Sequence, residues 1–68
     1  MSEEAFNLSL RKFLKSFGVN AQHEIEQAVA KARARGAVTA TQPLPAKVTL
    51  QIAGLSLNWE FKGEIALE

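Results

Sequence analysis

The sequence predicts an α+β fold, ordered α-α-β-β, with two antiparallel helices packed on one face of an antiparallel β-hairpin. Three observations carry this expectation. Residues 46–61, AKVTLQIAGLSLNWEF, alternate apolar and polar side chains as a half-buried strand pair does. Apolar residues recur at helical spacing on both sides of Gly18, and Gly18, Gly36 and Gly54 each stand where one pattern gives way to the next. Three boundaries imply four elements in one small domain.

The first helix is expected over residues 3–17. Phe6, Leu10, Phe13, Leu14 and Phe17 form one stripe, Ser2 is the N-cap, and Glu3 and Glu4 oppose the positive end of the helix dipole. Gly18 at C′ would end it, with Val19 folding back as the apolar partner of that cap. A second helix is expected over 21–35, with Asn20 as N-cap and Gly36 as its stop. Glu24 and Glu26 lie early in it and Lys31, Arg33 and Arg35 late, as the dipole favours. Its buried stripe would be Ala21, Ile25, Ala28, Val29 and Ala32, with Ala30 and Ala34 facing outward as ordinary helix formers.

Residues 36–45 form a loop or an extension of the first strand, because Thr39, Thr41, Pro43 and Pro45 oppose a helix. Strands are expected over 46–52 and 55–67, joined by Ala53-Gly54 as a two-residue turn. That turn pairs Ile52 with Leu55, Leu50 with Leu57, Val48 with Trp59 and Ala46 with Phe61, all on one face. The other face carries Lys47, Thr49, Gln51, Ser56, Asn58 and Glu60, and a one-residue slip would invert both sets. Pro43 and Pro45 blunt the free edge of the first strand. The second strand keeps period two through Ile65 and Leu67, with Gly63 as a bulge or a close backbone approach, and has no such protection. Its edge, marked by Ser56, Asn58, Glu60 and Lys62, is the candidate for self-association into a homodimer with a four-stranded sheet. The expected core is Phe6, Leu10, Phe13, Leu14, Phe17, Ile25, Val29, Val48, Leu50, Ile52, Leu55, Leu57, Trp59 and Phe61.

A chain of 68 residues buries only about 60% of its unfolded surface, so a staple or a partner is expected. Cysteine is absent, which removes disulfides, thiolate zinc sites and redox chemistry. With one histidine and no aspartate, the usual metal-ligand clusters cannot be assembled. Oligomerisation is the device left. No cofactor is expected. The formal net charge of +1 gives no global pull toward nucleic acid or anionic lipid. The uncharged run at 48–59 is too short to span a membrane and alternates like a strand, and MSEEAFN has no apolar signal region. A soluble, cytoplasmic protein follows as the expectation.

Enzyme activity has little to stand on. His23 sits near a helix start with no nucleophile or orienting carboxylate placed beside it by sequence, and there is no phosphate-binding glycine loop. Helix, glycine turn and helix, followed by a hairpin, invite comparison with winged helix-turn-helix DNA readers. In that reading Asn20, Gln22 and His23 would meet bases, but Glu24 and Glu26 would enter the phosphate field and the usual third helix is missing. Leu8, Arg11, Lys12 and Lys15 form a basic strip with one exposed leucine. It suits an acidic protein partner better than a membrane. Trp59 is either core or an interface anchor.

Taken end to end, MSEEAFN, RKFLKSFGV, QHEIEQAV, KVTLQIAGL and KGEIALE resemble a family of short uncharacterised proteobacterial proteins. The likeness covers nearly the whole chain. It implies a protein of unknown function and carries over no catalytic or binding residue. The leading functional expectation is therefore a small non-enzymatic interaction module that self-associates through a strand edge. A nucleic-acid-binding protein using the helix pair is the alternative.

Overall fold

The computed structural model describes residues 2–38 and 42–67. The chain divides into two compact units, Met1–Val38 and Thr39–Glu68. The element order is one α-helix, α1 (Glu3–Ala34), then β1 (Leu44–Ile52), a short 3-10 turn (Ala53–Leu55) and β2 (Leu57–Ile65). The α+β class stands, but the two expected helices, 3–17 and 21–35, are one.

The ends of α1 are where the sequence puts them. The Ser2 hydroxyl accepts the Ala5 N–H at 3.3 Å, and the Ser2 carbonyl accepts the Phe6 N–H at 3.0 Å. At the other end Gly36 takes φ +72. From there the Gly36 N–H donates to the Arg33 carbonyl at 3.0 Å and the Ala37 N–H to the Ala32 carbonyl at 2.9 Å. These are the two bonds of a Schellman cap, which need a left-handed residue at C′ and so favour glycine there. Glu3 and Glu4 in the first turn and Lys31 and Arg33 in the last complement the dipole.

Gly18 is no stop. Among the described residues Gly36 is the glycine with positive φ, and Gly18 continues the helical ladder. Asn20 does not cap a second helix: its amide donates back to the Ser16 carbonyl at 2.7 Å, one turn earlier. Val19 does not fold back but lies within the helix. Glycine in a helix interior costs only about 1 kcal/mol relative to alanine. Residues 3–34 contain no proline, and Phe17, Ala21 and Ile25 keep the stripe in phase across the glycine. Breaking the ladder would leave backbone groups on both sides of the break without partners, so the continuous helix wins.

In the second unit β1 and β2 form a two-stranded antiparallel sheet. The connecting loop has four residues, not two. Ala53–Leu55 make a 3-10 turn, the Ser56 N–H donates to the Ala53 carbonyl at 3.2 Å, and Ser56 is left-handed at φ 51. The register is correspondingly shifted by two from the expected one: Ile52 opposes Leu57, Leu50 opposes Trp59, Val48 opposes Phe61 and Ala46 opposes Gly63. A shift of two preserves face, so the expected apolar side survives, while Leu55 leaves the ladder for the loop. Ser56 likewise belongs to the loop rather than to the strand edge. Both strands differ in extent from expectation: β1 starts earlier, at Leu44, and β2 stops at Ile65, short of Leu67. Thr39 and Thr41, expected in the preceding loop, lie outside the described residues.

The ladder runs unbroken past Gly63, so this residue is no bulge. A Cβ there would stand 3.8 Å from Phe61 Cε1, so the ring leans over the missing side chain. Pro45 falls within β1 opposite Glu64, tolerable because every strand of a two-stranded sheet is an edge. On the polar face Lys47 is directly opposite Lys62, and Glu60 meets Lys47 at 3.6 Å. Both partners are half exposed or more, so the pair offsets the like-charge contact but is worth about 1 kcal/mol at most.

Among the described residues none of the expected core is fully buried. Val29 and Leu50 are half-buried and the rest of that set is exposed, from 37% for Ile52 to 71% for Leu55. Neither unit can bury these residues by itself. One helix cannot wrap its own stripe, and a two-stranded sheet needs a second layer to bury a face.

Candidate functional site

In each unit, taken by itself, the candidates for function are exposed faces. On α1 two faces are distinct. Phe6, Leu10, Phe13, Leu14 and Phe17, followed by Ala21, Ile25, Ala28 and Ala32, form one stripe along the whole helix. Its first half is bulky and its second half mostly small, with Ile25 and the half-buried Val29 the larger residues there.

The second face holds the basic strip. Leu8, Arg11, Lys12 and Lys15 follow i, i+3, i+4, i+7 spacing, so the helix does bring them to one side. All are exposed. Because the helix does not end at residue 17, that side continues to Val19, and the strip is bracketed by two exposed apolar residues, Leu8 at 56% and Val19 at 62%. Further along, Gln22 meets Glu26 at 3.3 Å and His23 meets Gln27 at 3.0 Å, both one turn apart. His23 thus has an amide beside it, where a catalytic imidazole would want a carboxylate or a nucleophile. Among the described residues no three His, Cys, Asp or Glu side chains gather where they could hold a metal ion.

On the hairpin, Leu44, Ala46, Val48, Leu50 and Ile52 share a face with Leu57, Trp59, Phe61 and Ile65. Trp59 and Phe61, two residues apart on β2, stack at 5.7 Å between centroids with their planes tilted by 54°. Trp59 is 51% exposed, an aromatic surface of the kind that anchors interfaces. The polar residues of the same strand, Asn58, Glu60 and Lys62, lie on the opposite face, and Glu60 already has Lys47 as its partner.

The turn on which a helix-turn-helix reading rests is not formed, since residues 17–20 are helical. Among the described residues no helix is long and apolar enough to cross a membrane. What escaped the sequence reading is the continuity of the stripe. Its signal was the unbroken i, i+4 run Phe17, Ala21, Ile25 through the supposed turn.

No curated protein and no solved structure matches the chain. A family model does, over residues 1–68, and the chain accordingly belongs to a family of unknown function, DUF6494.

Proposed function

We propose that this chain is a non-enzymatic protein–protein interaction module whose apolar faces are docking surfaces. One observation carries the reading: among the described residues none is buried, and Phe13, Leu14, Trp59 and Phe61 are each half exposed or more. Burying a side chain of this size stabilises by about 1.5–3 kcal/mol, so a partner that covers several of them gains enough to associate stably. The Trp59–Phe61 pair and the helix stripe are its anchors. The strip of Arg11, Lys12 and Lys15 would set which partners approach, through charge, more than how tightly they hold.

The test is capture of tagged wild-type chain from its own cells, in parallel with a Trp59→Ser, Phe61→Ser double variant checked for retained helix by circular dichroism. The expected result is a stoichiometric protein, untagged copies of the chain included, recovered with the wild type and reduced tenfold or more with the variant. Recovery of no protein, or equal recovery with both, overturns the reading.

A further inference from the structure

The stripe on α1 has a symmetry that selects its partner. With Leu14 and Val29 set aside as residues of its margins, the stripe falls at Phe6, Leu10, Phe13, Phe17, Ala21, Ile25, Ala28 and Ala32, and the intervals between these eight read the same from either end. The midpoint is Val19. Turned end for end about that point, the helix sets Phe6 level with Ala32, Leu10 with Ala28, Phe13 with Ile25 and Phe17 with Ala21. A parallel pair would instead set Phe on Phe and Ala on Ala, forcing the axes apart at one end and together at the other. The reversed pair places a large residue against a small or medium one in each of these four layers, which keeps two helices at one separation, about 8–10 Å.

The charges at the two ends of the stripe obey the same reversal. Glu3 and Glu4 are followed by Arg11, Lys12 and Lys15, then by Glu24 and Glu26, then by Lys31, Arg33 and Arg35. End-for-end pairing sets Glu3 level with Arg35, both on the stripe's side of the helix, whereas Arg11, Lys12 and Lys15 lie on the other face and stay clear of the contact. Parallel pairing lays like on like. The helix dipoles, aligned against one another, favour the same arrangement.

We infer that the stripe is covered by the same stripe of a second copy of this chain, in an antiparallel helix pair centred on Val19. This deepens the interaction reading above by naming the partner, and it rests on that reading. The self-association surface is then the face of α1. A helix of 32 residues is about 48 Å long and offers about nine turns to the contact.

A charge swap within one layer tests it by sedimentation equilibrium. Phe13→Glu and Ile25→Lys variants should each lose self-association tenfold or more. Mixed in equal amounts they should associate again, because antiparallel pairing opposes the new Glu and Lys in one layer and leaves the reciprocal Ile25–Phe13 layer intact. A parallel pair would oppose neither, and a variant that merely failed to fold would not recover on mixing. Distances give an independent readout, made simple by the absence of cysteine. A spin label at Ser9→Cys should lie about 30 Å along the axis from its mate, and one at Asn20→Cys should lie close to its mate. A wild-type chain that stays monomeric into the millimolar range, a mixture that does not recover, or a short Ser9 distance each overturns the pairing. A different protein recovered by capture, with no self-association, would leave the interaction reading standing and remove this one.

Discussion

Ser56 holds a left-handed backbone, φ 51 and ψ 32, that an L-side chain adopts at a cost of about 1–2 kcal/mol and glycine adopts freely. The hairpin accepts that cost because the four-residue loop closes with the Ser56 N–H bonded to Ala53 and brings Ile52 opposite Leu57. Ser56→Gly should therefore stabilise the hairpin by about 0.5–1 kcal/mol, read as an upward shift of the denaturant midpoint at unchanged m-value. No shift, or a downward one, would contradict the left-handed assignment. Gly36 makes the complementary case. Its φ of +72 serves both bonds of the Schellman cap, so Gly36→Ala should lower stability by about 1 kcal/mol and fray the last turn in amide exchange. Sequence alone identified Gly36 as a cap because basic residues precede it and helix-averse ones follow. It could not identify Ser56, because serine carries no left-handed signal and the neighbouring Ala53-Gly54 offered a shorter turn.

The reach of sequence reasoning is different for each element. Alternation in 46–61 fixes which residues share a face, and that survives a register two residues away from the expected one, since parity is all that alternation encodes. Loop length is set by backbone angles, which alternation does not record. In α1 both caps are legible, but Gly18 reads as a terminator because Val19 and Asn20 after it look like the apolar partner of a cap and the start of a second helix. A glycine ends a helix only when it adopts positive φ, and the residues that follow decide this. After Gly36 come β-branched residues and prolines, whereas after Gly18 comes a sequence that continues the stripe in phase. Gly18→Ala separates the two architectures by sign. A Cβ there meets nothing within 4 Å, so in the continuous helix the substitution should raise stability by about 1 kcal/mol and increase ellipticity at 222 nm. A left-handed cap at that position would give destabilisation of similar size.

Across the whole molecule, stability and association are one quantity if the apolar faces are buried only on pairing. The helix interior carries a glycine, and helices in proteins draw most of their stability from packing of an apolar face. Hydrophobic burial in the dimer would then supply most of the driving force. Melting followed at 222 nm should accordingly depend on concentration, because anything that binds the folded form alone raises its apparent stability by mass action. For a chain of 68 residues folding only as a pair, each tenfold dilution should lower Tm by about 5 °C. Sulfate should raise the midpoint at fixed concentration, since it strengthens apolar burial, while sodium chloride should act weakly through screening of the charges at the ends of the stripe. Nucleic-acid affinity would behave in the opposite way, falling steeply with any salt. The Phe13→Glu variant supplies the internal control: its midpoint should be low and nearly independent of its own concentration, and should rise on mixing with Ile25→Lys. A wild-type midpoint that does not move over a hundredfold range of concentration would mean that each copy reaches its stability unaided, and the apolar stripe of α1 would then need another explanation.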